Sequence, residues 1–187
     1  QSSHTAQQFL TFGTFALGFL ARPVGSLVLG RVGDRIGRRA LLTLSILLMG
    51  GATLIIGLLP SYEQIGVAAP LLLVTMRLVQ GFSLGGEFTG SMVYTTEGSS
   101  QAMRGLVSSS TAAGTTIGFI LGSGTAWLVN SSLSPDQVNA WGWRIPFVGS
   151  VVFLILGYLL RRGIVETAEG EKARALRRSS ILSGVAP

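Results

Sequence analysis

The sequence predicts an all-α integral membrane bundle of five transmembrane helices, and three observations carry that prediction. Only 12% of the 187 residues are charged, 48% are hydrophobic, and mean hydropathy is +0.55. An ordinary soluble domain carries about 25% charged residues. Apolar runs of about 20 residues recur, each long enough to cross a hydrocarbon core of about 30 Å as a helix. The connections between those runs alternate between basic and non-basic without exception.

The spans fall at residues 9–29, 40–59, 69–95, 105–129 and 143–160. Helices are expected because lipid leaves no water for open backbone groups. A membrane barrel would instead alternate with period two in segments of about ten residues. In the first span, Arg22 precedes Pro23. Proline frees a carbonyl one turn back and predicts a bend, with Arg22 a structural intramembrane charge set against such carbonyls or a carboxylate. The second span is uninterrupted and aliphatic, with pairs such as Leu41-Leu42 and Ile55-Ile56. The third is the richest chemically. In the fourth, Gly114, Gly118 and Gly122 recur every four residues, which predicts a bare helix face open to another backbone. Trp127, Trp141 and Trp143 flank the fourth and fifth spans as interfacial anchors. Pro60 and Pro135 mark turns on that same side.

Sidedness follows from the arginines. The connection 30–39 is a glycine-punctuated loop holding Arg31, Arg35, Arg38 and Arg39. The connection 60–68 has only Glu63 as a charge, 96–104 has Arg104 as its base, and 130–142 has only Asp136. From residue 161 come Arg161, Arg162, Lys172, Arg174, Arg177 and Arg178. The positive-inside rule puts 30–39, 96–104 and the tail in the cytoplasm of a multi-pass inner (plasma) membrane protein. The nucleic-acid partner that a net charge of +6 and a pI near 11.1 would suggest is set aside, because the bases sort by membrane side and not onto one face. Residues 1–160 then form a five-helix membrane unit, and 161–187 a cytoplasmic basic linker with helix-compatible spacing over 166–180. The chain opens without a methionine and enters an apolar run at once. A piece of a longer protein that lacks its first helix is expected.

No enzyme, metal or cofactor chemistry is indicated. The chain has no cysteine, a lone His4, no phosphate loop and no Ser/His/Asp set. The glycines of 30–37 do not follow G-x-G-x-x-G spacing. Charges inside spans are costly and mark function or pairing. They are Arg22, Arg77 and Glu87, with Arg144 explained by snorkelling at an interface. On a helical wheel Arg77, Gln80, Leu84, Glu87, Ser91 and Thr95 share one arc, a polar stripe that must face protein or water. Arg77 and Glu87 stand about 15 Å apart along the axis, too far to neutralise each other. Arg77 suits bidentate recognition of a substrate carboxylate. Glu87 suits proton linkage, since desolvation favours the neutral form of a carboxyl. An interhelical ion pair is the alternative for each.

These segments resemble the major facilitator superfamily, in its metabolite/proton symporter branch. The loop from Gly30 to Arg39 is similar to the superfamily signature between its second and third helices. Phe19-Leu20-Ala21-Arg22-Pro23-Val24-Gly25 is similar to the branch's second helix, and Arg77 through Glu87 to its fourth. Glu97 with Arg104-Gly105, and Trp141 through Phe147, resemble the next cytoplasmic loop and the entrance to the sixth helix. Glu166-Thr167 resembles that helix's end, although Ala168 stands where the family has proline.

The resemblance implies a major-facilitator-type helical bundle in which the five spans are helices 2 to 6 of twelve. That is a partial N-terminal half, whose partners would be a missing helix 1 and a C-terminal six-helix half. It implies alternating access, with Asp34, Arg35, Arg38, Glu97 and Arg104 as a cytoplasmic gate. Arg77, Gln80 and Glu87 are then expected in substrate binding or proton linkage. Gly122 is followed by Ser123, not by the proline of drug antiporters. The expected activity is proton-coupled import of a small organic acid or zwitterionic osmolyte, with proline, betaine, dicarboxylates, citrate and shikimate as candidates. A non-transporting membrane sensor or assembly protein is the alternative.

Overall fold

The computed structural model describes residues 2–163 and Glu171, with side chains from Phe12 onward. The expected tail helix over 166–180, Lys172, Arg174, Arg177, Arg178 and the Glu166-Thr167 pair lie outside the described residues. The described chain is helical, running α1 (Ser2–Ile36), α2 (Arg38–Gly57), the short α3 (Tyr62–Ile65), α4 (Ala68–Glu97), α5 (Arg104–Ser132), the short α6 (Pro135–Gln137) and α7 (Arg144–Arg162). Five of these helices are long and apolar enough to cross a membrane. Ser134 caps α6 by accepting from the Gln137 N–H at 3.3 Å, while the Gln137 side chain accepts from the Ser134 N–H at 3.0 Å. A π-helical turn, Val138–Gly142, then leads into α7.

The 30–39 connection is not a loop. α1 continues through Pro23 to Ile36, and only Gly37 interrupts the helix before α2 begins. The charged side chains there are exposed or snorkel, so nothing in Arg31–Ile36 forces the backbone out of helix. Gly37, with φ 100°, adopts a backbone that side chains rarely tolerate and turns the chain back on itself.

α1 packs mainly on α4, α4 on α2, and α2 on α7. Glycines set the first of these contacts. A Cβ on Gly25 would strike the Phe82 carbonyl, one on Gly81 the Gly18 carbonyl, and one on Gly85 the Arg22 carbonyl. Two backbones therefore touch, as small residues allow in lipid. Leu29 closes over Gly86, and Leu41 over Gly33 and Gly90. The face expected at Gly114, Gly118 and Gly122 is different, for nothing among the described residues comes within 4 Å of a Cβ added there. α5 touches α4 and α7 only lightly. Its hydroxyls bond to its own carbonyls, as in Thr115 to Thr111 at 3.1 Å and Thr125 to Leu121 at 2.8 Å.

The core is small and partly polar. Leu29, Leu41, Leu42, Ala52 and Ile56 are buried, and with them Ser45 and Ser83. Ser83 Oγ donates to the Ser45 carbonyl at 2.5 Å, and Ser45 Oγ to the Leu41 carbonyl at 3.0 Å. Both hydroxyls are thus satisfied, and that of Ser83 ties α4 to α2. Many large apolar side chains, among them Phe12, Leu20, Phe119 and Leu160, point outward, as a lipid-facing surface requires.

Candidate functional site

Two polar clusters form on α4. The first grows from Arg77. Its Nη1 donates to Gln80 Oε1 at 3.1 Å, Gln80 Nε2 donates to Thr53 Oγ1 at 2.7 Å, and Thr53 Oγ1 donates to the Met49 carbonyl at 2.8 Å. This chain of donors crosses from α4 to α2 at membrane depth. The Arg77 guanidinium also lies 5.2 Å from the centroid of the Phe15 ring on α1. Arg77 keeps further N–H donors beyond the one spent on Gln80, so the cluster can still receive an oxygen acceptor.

The second cluster occupies the arginine-rich end. Arg38 Nη1 meets Asp34 Oδ1 at 2.7 Å, and Arg38 Nη2 meets Glu97 Oε1 at 3.2 Å. One guanidinium at the start of α2 thus holds carboxylates from α1 and α4. The Asp34 side chain is 61% exposed and that of Glu97 only 18%, so the two bonds see different amounts of water. Of the five expected gate residues, Asp34, Arg38 and Glu97 come together. Arg35 and Arg104 are exposed and form no ion pair among the described residues.

Glu87 stands apart from Arg77 and Gln80. It pairs with Arg161 of α7, whose Nη1 also donates to the Leu42 carbonyl at 2.6 Å. Sequence reasoning assigned Arg161 to the basic tail and missed this role. The available signal was its place in the last turn of a span, where a long side chain can reach back into the bundle. Arg22 meets neither the carbonyls nor the carboxylate expected for it. Its guanidinium lies 3.8 Å from the Phe19 ring centroid, and its Nε is buried without a partner among the described residues. Arg22 comes three positions after Phe19, about one helical turn, which brings ring and cation onto one face. Arg144 donates to the Leu59 carbonyl at 3.0 Å and lies 5.1 Å from the Trp143 ring centroid. Trp143 packs edge-on against Phe147, whereas Trp127 and Trp141 are exposed.

The family described as "Sugar (and other) transporter" matches residues 1–169. The chain belongs to this transporter family. Its members in the comparisons are carriers and not enzymes, and the chain is a multi-pass membrane protein of the major facilitator superfamily. It is 43% identical over 185 residues to the inner membrane metabolite transport protein YhjE of Escherichia coli, covering 98% of this chain and 42% of that one. It is 41% identical over 161 residues to the shikimate transporter of the same organism, covering 86% of this chain and 37% of that one. A Staphylococcus haemolyticus protein named for proline/betaine transport is 44% identical over 161 residues, covering 86% of this chain and 34% of that protein. The chain spans about two fifths of the curated relatives it matches. The proton:xylose symporter XylE has a similar fold, with TM-score 0.78 at 18% identity, over 94% of this chain and 40% of that one.

Proposed function

We propose that these residues supply five consecutive helices of a twelve-helix, proton-coupled carrier. It imports a small organic acid or zwitterionic osmolyte by alternating access. The observation that carries this reading is the Arg38 bridge, in which one cation holds carboxylates from two other helices at a single end of the bundle. Of its two ion pairs, the one to the exposed Asp34 contributes only about 0–1 kcal/mol, while the one to Glu97 is largely withdrawn from water. The Asp34 pair can therefore part and re-form during a transport cycle without a large barrier. The arginine-rich end faces the cytoplasm by the positive-inside rule. The relatives named for shikimate and for proline/betaine transport support the substrate class.

Arg77 binds the substrate carboxylate, with Gln80 fixing its guanidinium, and Glu87 serves proton linkage or gating. The decisive experiment is uptake by the complete carrier in vesicles. Betaine, proline, 2-oxoglutarate, citrate and shikimate are supplied with and without a proton gradient. Gradient-dependent uptake of one compound is expected. Arg77→Ala is expected to cut that uptake by at least about tenfold, equivalent to some 1.4 kcal/mol, with membrane insertion unchanged. Normal uptake by the variant would remove Arg77 from the site.

A further inference from the structure

The start of α2 and the end of α7 exchange arginines. Arg39 Nη2 of α2 donates to the Arg162 carbonyl at 2.8 Å, closing the last turn of α7. In return Arg161 of α7 reaches between α2 and α4, donating to the Leu42 carbonyl and pairing with Glu87. Both members of that pair are largely withdrawn from water, with side chains 16% and 23% exposed. Leu42 lies four residues beyond Arg38, one turn deeper in the same helix. The bundle end therefore carries two guanidinium heads in depth. The outer head ties α1 to α2 and α4, and the inner head ties α7 to the same two helices.

We propose that Arg161 is a positioning residue whose pairing with Glu87 and Leu42 forms a second, inner lock. It holds the exit of α7 closed against α2 and α4 beneath the Arg38 cluster. The inference rests on the transporter reading for its role in a cycle. Apolar side chains at both 161 and 87 could hold these helices together without desolvating two charges. A guanidinium with two acceptors on different helices instead makes a contact that is strong when complete and lost as a unit. Opening this end requires Arg161 to leave Leu42, Glu87 or both.

The test needs no substrate. Ser45 is fully buried one turn past Leu41 and between α2 and α4, so Ser45→Cys is a reporter of opening. The 187 residues hold no cysteine of their own. The complete carrier, otherwise cysteine-free, is labelled with a water-soluble maleimide in inside-out vesicles. Arg161→Gln and Glu87→Gln are each expected to raise the labelling rate about tenfold by populating the open end, as local openings do. Arg161→Lys is expected to return it to near the parent rate, and Arg162→Gln to leave it unchanged.

An unaltered rate in Arg161→Gln overturns the lock. So does a Lys variant labelled as fast as the Gln variant, because charge is then not what holds α7. If both Gln variants fail to give a monodisperse protein in detergent, the pair holds the fold and not a movable end, which also overturns it. A raised labelling rate with no uptake of any tested compound would keep the lock and discard the transport reading.

Discussion

At the residue scale, the arginines are distinguished by what their heads can reach. Arg38 is shared by two carboxylates, Arg161 by a carboxylate and a carbonyl, and Arg77 by a glutamine. Arg22 is left against a phenylalanine ring. Different losses follow from each arrangement. Asp34→Asn keeps an acceptor for Arg38 but removes the charge, so it is expected to slow transport several-fold while substrate binding stays within about twofold. Equal losses in uptake rate and binding affinity would argue against a gate. Gln80→Leu removes the link from Arg77 to Thr53 and leaves the guanidinium without its in-chain acceptor. Substrate KM is expected to rise, by about tenfold for a lost charged hydrogen bond of roughly 1.5 kcal/mol. An unchanged KM would leave Gln80 a packing residue. The sequence made Arg77 and Gln80 legible as neighbours, since three residues on a helix share a face. It could not show that Glu87 turns to α7, because that depends on how α7 crosses the bundle, which no local pattern encodes.

At the element scale, α1 and α4 form the tightest pair because glycines let their backbones meet. Gly81→Leu and Gly85→Leu would force a side chain into a carbonyl of the partner helix. Overpacking costs about 1–3 kcal/mol, and thermal unfolding of the purified carrier should fall accordingly. Gly51→Ala, which meets nothing within 4 Å in α2, should be neutral or stabilising. A similar fall for Gly51→Ala would mean that open space does not distinguish these glycines. Regular spacing drew attention to Gly114, Gly118 and Gly122, but the working contact uses Gly18 and Gly25 against Gly81 and Gly85. Spacing identifies a smooth face, and it does not identify what arrives there. The number and order of long helices were readable from apolar length alone. The helical course of Arg31–Ile36 was not, because glycines and charges look like a loop until long side chains are allowed to snorkel.

At the scale of the whole molecule, α2 is fastened to α7 at both ends. Arg144 of α7 donates to the Leu59 carbonyl just past one end, and Arg39 and Arg161 join the pair at the other. With the glycine contact of α1 and α4 and the serine pair of α2 and α4, four helices form one body, and α5 stands lightly against it. Orientation is testable on the same scale. Cysteines placed at Ser61 and Ser134 should react with an impermeant maleimide in intact cells, and one at Gln101 only after permeabilisation. The opposite pattern would invert the proposed topology. The expected sidedness rests only on the count of bases per connection, and these cysteines decide it.

The self-bonded hydroxyls of α5 bear on how such a protein is made. A membrane segment rich in serine and threonine would normally need partners at once, because naked polar atoms in hydrocarbon are expensive. Here Thr115, Thr116 and Thr125 spend their hydrogen bonds on carbonyls one turn back within the same helix. Such a segment can leave the insertion machinery and rest in lipid unaccompanied. Its smooth glycine surface is uncovered among the described residues, so insertion of this segment need not wait for its packing.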